Sequence, residues 1–430
     1  DATGATGGGD VLIGGDWQGG DHAEYRVFND PEALREAVSV DMAAGARIDA
    51  SATERGDGGT VVLWSDIKNP SSVTDVRGTI LARGGSSGGD GGLIETSGHE
   101  LFTEGAVVRA DAPLGEAGLW LLDPEFSLIT QSVADGFADT LNTGTNVTNL
   151  VAGDMVWASG VVLTKSSGGD ATLTLRTTDA GDIIFESGAK IESASGALNV
   201  VLDADGRIDI ASGVSFITNG GYTRFRAAGN DAEDDSEEEA SEEKDTEEKS
   251  EGDTKEESDS GSKDSSEESA AAVNEGAQAG ANDSGVSDSG ATDAQPDPEA
   301  FVVMRPDIRL AGEVDVTSET LGGEVTLRAE HIQLEADSSI DARGGTGGGQ
   351  VHLDASAGEA LRPEDSDAPT ETVSRIQAAG RINVSSGGGK GGRVKIEGED
   401  IELEATAEVD ASGATAGGEV LVGGDWQGGA

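Results

Sequence analysis

Carboxylates and histidines are the residues of this chain able to pass protons or hold a metal, and their spacing decides whether they can meet. The histidines are His22, His99, His331 and His352. His331 and His352 stand 21 residues apart, which does not match the 26-residue repeat described below, so all four are expected as isolated surface side chains. Asp315, Asp341 and Asp410 hold equivalent places in recurring segments and are expected to form an acidic ladder down one face. Paired carboxylates permit glycoside hydrolysis, and a cluster of them can hold Ca²⁺. No Lys or Arg base recurs beside the three acids, and stacked like charges need solvent or cations between them. The expectation is therefore no catalytic residue, no cofactor and no assigned metal ligand, with weak Ca²⁺ binding as the most the acids would do. The absence of cysteine removes disulfides, thiolate metal sites and cysteine nucleophiles together.

Glycine-rich runs such as 84–92 (GGSSGGDGG) lack the Lys and following helix of a phosphate cradle and read as corner turns. Trp17 and Trp426 stand at equivalent places in two copies of Gly-Gly-Asp-Trp-Gln-Gly, where an indole can stack on a sugar or pack on its own fold. Flanking glycine corners favour packing. Trp64, Trp120 and Trp157 lie in strand-like runs and are expected as core or flank packing.

The elements that would position these residues repeat. An aliphatic-Asp-Ala strand, a glycine corner and an alternating strand recur, most plainly as Ile340-Asp341-Ala342-Arg343 followed by Gln350-Val351-His352-Leu353. Leu93 to Leu119, Val325 to Val351 and Val394 to Val420 are each 26 residues apart, which is one coil rather than one strand. Runs such as Val325-Thr326-Leu327 alternate apolar with polar, so one face of each strand points inward. With 66 Gly, 9 Pro and 3% aromatic residues, a narrow aliphatic core fits better than a wide globular one. The fold class is all-β, a right-handed parallel β-helix of about a dozen coils. Only residues 31–42 (PEALREAVSVDM) are expected to form a turn or two of helix.

The domains expected are a β-helix over 1–229, an acidic disordered loop or linker over 230–299, and a β-helix continuation over 300–430. Residues 231–299 hold 26 Asp or Glu against four Lys, −22 of the net −55, and almost nothing apolar to offset the entropy of ordering. A second insertion at 355–372 stretches the spacing from Val351 to Val394 to 43. The −33 left on the rest repels phosphate backbones, so nucleic acid is not expected as a partner.

Four motifs come in a fixed order: Val61-Val62-Leu63-Trp64-Ser65-Asp66, Gly78-Thr79-Ile80-Leu81-Ala82-Arg83-Gly84-Gly85, Gly91-Gly92-Leu93-Ile94-Glu95-Thr96-Ser97-Gly98 and Ala117-Gly118-Leu119-Trp120-Leu121-Leu122-Asp123-Pro124. That series closely resembles the filamentous haemagglutinin-like exoproteins of bacterial two-partner secretion, over roughly the first 125 residues and the last 20. The resemblance marks Trp17, Trp64, Trp120, Asp123, Pro124 and Trp426 as structural motif residues. It implies an adhesin-like, non-enzymatic stalk or display segment at the bacterial cell surface or released from it. Its implied partners are an outer-membrane β-barrel transporter and a host or environmental surface, carbohydrate included. The family's Asn-Pro-Asn-Gly secretion motif is not found, and Asn69-Pro70-Ser71 does not replace it. The rival readings are a carbohydrate-active β-helix enzyme, of lyase or glycosidase type, and a passive surface-matrix scaffold.

Residues 1–20 recur as 410–429 with sixteen of twenty positions identical. A segment that closes as it opens is expected to stack on neighbouring repeats of the same chain.

Overall fold

The alternating strands find their partners one coil away, because each is too short to bury its apolar face alone. The structure, a computed structural model, describes residues 1–20, 34–228, 307–355 and 374–423. A twelve-stranded sheet runs from Val11–Ile13 to Glu419–Val422, every neighbouring pair parallel. An eight-stranded and a seven-stranded sheet form two further faces, and two three-stranded sheets take their places in the first coils. Each full coil visits the faces in one order, as in Ala171–Thr177, Ile183–Phe185 and Lys190–Ser193, then Leu198–Ala204, Ile208–Ile210 and Ser215–Ile217. This is a right-handed parallel β-helix, as the sequence pattern requires.

The 26-residue spacings are registers in the structure: Leu93 pairs with Leu119, Val325 with Val351, and Val394 with Val420. The 43-residue step from Val351 to Val394 keeps the same register, and so does the step from Thr223 to Val325. The acidic segment therefore lies between two successive coils and does not separate two stacks. Its disorder was an expectation about residues outside those described. Since loop-closure entropy changes by only ~0.6 kcal/mol per doubling of length, replacing 230–298 with a short Gly/Ser linker should leave stability unchanged or raised by up to about 2 kcal/mol. A large loss on denaturant titration would mean that the segment packs on the coils.

Inward residues fill a narrow core. Trp157 stacks on Phe185 at 5.3 Å, Phe185 meets Phe216 at 5.0 Å, and Phe216 meets Phe225 at 5.4 Å. These rings belong to three different faces, so the aromatic column ties the faces together. Glycine at the corners answers to crowding: a Cβ on Gly348 would lie 1.9 Å from the Val384 carbonyl oxygen and 2.2 Å from the Gly392 nitrogen.

The helix falls elsewhere than expected. Ser39–Met42 is a strand, paired with Val73–Val76, because a neighbouring strand outweighs the weak helical tendency of 31–42, whose residues 31–33 lie outside the described part. The α-helix among the described residues is Gln131–Leu141, which buries Ala134, Phe137, Ala138 and Leu141 and takes the third-face place in its coil. The Gln131 side-chain amide accepts from Val162 N–H at 3.0 Å and donates to Val162 C=O at 2.7 Å, standing in for the strand the helix displaced.

Candidate functional site

A row of outward residues on the long sheet begins a buried polar site. Leu12, Val62, Glu95 and Leu121 are in register on successive strands, with outward Trp64, Ser97 and Asp123 two residues further along. An outward apolar row needs a cover, and the Gly-Gly-Asp-Trp-Gln-Gly turn supplies it. Trp17 packs with Val62, Trp64 and Leu121 into a small core separate from the main one. In this turn Gln18, Gly19 and Gly20 all adopt positive φ, at 48°, 70° and 68°. A Cβ on Gly15 would come 2.3 Å from Trp64 Cδ1, and one on Gly19 2.8 Å from its Cζ2.

Beneath this turn Glu95 is fully buried. Its Oε2 accepts the Gln18 N–H at 2.9 Å and its Oε1 the Ser97 hydroxyl at 2.8 Å. Burial pushes its carboxyl up to about 8 against those two hydrogen bonds, with the charges of Asp123 and Asp16 adding to the rise. Asp123 is pushed up to about 7, first by burial and then by Glu125. Trp64 Nε1 is buried with no acceptor among the described residues. A backbone hydrogen bond to a buried acid and indole packing thus help to hold the turn.

Trp17 and Trp64 meet here, and Asp123 lies on the same face. Trp120 points the other way, into the core, where its Nε1 donates to Thr96 Oγ1 at 3.1 Å and its ring meets Phe137 edge-on at 6.2 Å. Pro124 is buried at the end of the same strand, in register with Gly98. Trp426 lies outside the described residues. Glu95 was not singled out in the sequence, although its place in Leu-Ile-Glu-Thr-Ser-Gly, outward beside an apolar row, was readable.

The acidic ladder exists. Asp315 pairs with Asp341, Asp341 with Asn383, and Asn383 with Asp410. Each side chain accepts a backbone N–H two residues on: Thr317 at 2.8 Å, Arg343 at 3.2 Å, Ser385 at 3.0 Å and Ser412 at 2.9 Å. These contacts turn the chain into the glycine corner, and Asn383 does the same task without charge. The hydrogen bonds from Ser412 hold the Asp410 carboxyl below its ordinary range. Arginine accompanies one of the three acids, Arg343 Nε lying 2.8 Å from both Asp341 oxygens, and in the first coils Arg83 and Arg109 share another acid, Asp111. The pairing was hidden because Arg83 and Asp111 are 28 residues apart.

A shallow groove of about 260 Å³ includes Arg47, Asp49, Ser51, Thr53 and Arg83. Burial raises the Asp49 carboxyl, but hydrogen bonds from Ser51 and Arg47 outweigh it and leave the group lowered.

The described histidines are not isolated. His99 Nδ1 lies 2.9 Å from the Ile67 carbonyl oxygen, and His352 Nε2 lies 2.8 Å from Glu397 Oε2. His331 Nδ1 lies 3.2 Å from Asp307 Oδ2, which also accepts the His331 backbone N–H at 2.8 Å. Asp307, Glu330 and His331 bring one ligand atom each within 4.8 Å of one another, a set able to take a divalent cation, and Asp307 already has a structural task there. The sequence hid this set because Asp307 sits one coil before its partners. His331 and His352 occupy different faces, as the mismatch with the coil period required. Lys165 is also fully buried, donating to the carbonyls of Ser167 and Ser195, and burial lowers its ammonium.

No protein-family model matches this chain, and no curated protein matches it.

Proposed function

We propose that this chain is an adhesin-like, non-enzymatic display segment whose coils hold inserted segments along one flank for attachment to a surface. The observation that carries this reading is where the insertions leave the stack. Residues 14–38, 229–306 and 356–373 all fall between a long-sheet strand and the second-face strand that follows it. Glycine corners such as 342–349 and 384–392 fall instead between the third face and the long sheet, where neighbouring backbones crowd them. Repeat folds tolerate insertions at the corner that is free of packing, and that corner commonly becomes the binding face. Export through an outer-membrane β-barrel, a place at the bacterial surface, and a cell or carbohydrate partner follow from the resemblance in residues 7–124 and belong to the same proposal.

The hydrolase or lyase reading has the Arg–Asp groove in its favour. Hydrolysis by two carboxyls needs one protonated acid beside the scissile bond. Among the described residues the two carboxyls raised toward neutrality, Glu95 and Asp123, lie under the Trp17 turn or beside it, away from that groove. Beads coated with the protein should adhere to cells or immobilised polysaccharide with no soluble product. Cleavage of pectin, alginate or a similar polyanion, abolished by one Asp or Glu substitution, would establish the enzyme instead.

A further inference from the structure

One corner between the long sheet and the second face brings together side chains able to hold a metal. The long-sheet strand Glu324–Arg328 reaches the second-face strand His331–Leu334 through Ala329 and Glu330 alone. One coil earlier the chain between the same two faces runs through residues 229–306, and Asp307 directly precedes the strand Ile308–Leu310. Ile308 pairs with Ile332, so Asp307 stands beside His331 of the neighbouring coil.

The backbone fixes that pair. Asp307 N–H donates to the His331 carbonyl oxygen at 3.0 Å, and His331 N–H donates to Asp307 Oδ2 at 2.8 Å. Both side chains are largely removed from water, 13% exposed for His331 and 11% for Asp307. His331 Nδ1 lies 3.2 Å from the same Asp307 oxygen, and Glu330 brings a carboxylate oxygen within 4.8 Å of a ligand atom of each.

Charge separates a metal site from a simple ion pair. Among the described residues neither carboxylate has a Lys or Arg partner, and the Glu330 side chain accepts no hydrogen bond. Arg375, in register with His331 on the next coil, is taken up by Asp400 and Glu402 at 3.3 and 3.1 Å. A protonated imidazole would cancel one negative charge and leave the Glu330 carboxylate unanswered. With the imidazole neutral, as a ligand must be, the set carries two negative charges, and one divalent cation cancels both.

The distances select the cation. Zinc holds imidazole nitrogen and carboxylate oxygen at about 2.0–2.2 Å, which puts two ligand atoms of a tetrahedron ~3.3 Å apart. Nδ1 and Oδ2 already stand at 3.2 Å. Only the Glu330 carboxylate has to close in, and its flexible side chain allows it. Calcium asks for about six to eight oxygens, which two carboxylates do not supply.

We infer that Asp307, Glu330 and His331 form a site for Zn²⁺ or a similar first-row divalent cation, with the fourth position left to water or an outside carboxylate. Asp307 Oδ2 and His331 Nδ1 are ligands, and the His331 N–H on that oxygen orients it. The ion clamps two neighbouring coils where residues 229–306 rejoin the stack. The clamp stands apart from what the flank attaches to, so the two readings fail separately.

The test is titration of the full chain with Co²⁺, whose tetrahedral sites absorb far more strongly in the visible than the aqueous ion, followed by displacement with Zn²⁺. Excess Ca²⁺ is kept present to occupy the chain's other carboxylates. One equivalent of Co²⁺ should give the intense spectrum, and Zn²⁺ should remove it. Glu330→Gln and His331→Gln should each weaken binding by more than the ~10–100-fold that loss of a supporting group costs. Glu330→Gln leaves the contacts between Asp307 and His331 in place, so its effect is not a loss of fold. His352→Gln, which touches the other His–Glu pair, should change nothing. An aqueous-type spectrum throughout, or binding that survives Glu330→Gln, would overturn the site. So would binding lost in His352→Gln, because the ion would then sit beside Glu397.

Discussion

As pH rises from about 4.5 to about 8 the protein is expected to lose stability, and Glu95→Gln is expected to remove about half of that loss and all of it above about pH 7. Glu95 has its folded-state carboxyl raised to about 8 from an ordinary value of 4.5, so the folded protein holds a proton that the unfolded chain has released. The stabilisation is complete below the ordinary value and is lost as pH climbs through the folded one. At 1.36 kcal/mol per pH unit the Glu95 span is at most ~5 kcal/mol, and Asp123, raised from 3.8 to about 7, adds at most ~4 kcal/mol over a window that ends near 7. Coupling between the two acids, and with Asp16 and Glu125, spreads the loss over that window. Glutamine keeps an oxygen for the Gln18 N–H and stays neutral at every pH. Urea midpoints measured from pH 5 to 9, followed by tryptophan fluorescence, would show the slope. A flat profile in the parent, or an unchanged slope in Glu95→Gln, would mean that the turn opens and lets water reach the carboxylate.

Phe216→Ala is expected to cost about 3–5 kcal/mol, and Phe216→Leu less than about 1.5 kcal/mol. Phe216 is fully buried between Phe185 and Phe225 and joins the third face to the other two. Truncation leaves a cavity whose walls are held by coils on both sides and cannot collapse into it. The affected coils are also those that pair with Ile308–Leu310 and Glu313–Asp315 across the acidic segment. Denaturant unfolding should therefore show an early transition confined to these coils, because a solenoid's stability is a sum over neighbouring units. A loss below about 1 kcal/mol would mean that the aromatic column does not bind the faces together.

The coil was legible because it is written in local pattern. Alternation at Val325-Thr326-Leu327, the 26-residue spacings and the glycine corners each follow from what a short parallel strand and a tight corner demand of side chains. The acidic ladder was legible for the same reason, since Asp315, Asp341 and Asp410 recur at one point of the coil. Its purpose was not. The Asx turn at Asp341 involves Arg343 two residues on and was readable, whereas the sharing of Asp111 by Arg83 and Arg109 depends on which coils are adjacent. The helix at Gln131–Leu141 was missed although Ala134, Phe137, Ala138 and Leu141 repeat at helical spacing, because eleven residues with Gly136 among them give a weak signal beside so many strands.

By itself, then, the sequence determined the coil, its period, its corners and the place of two of its insertions, all consequences of side-chain alternation and backbone sterics acting over a few residues. Tertiary structure alone decided which polar groups lose water. Glu95 and Asp123 look like any of the chain's 83 acids until Trp17 folds back over the sheet, 77 residues from Gln18 to its acceptor, and excludes solvent from one carboxyl among them. Desolvation depends on what covers a group, and here the cover comes from another coil.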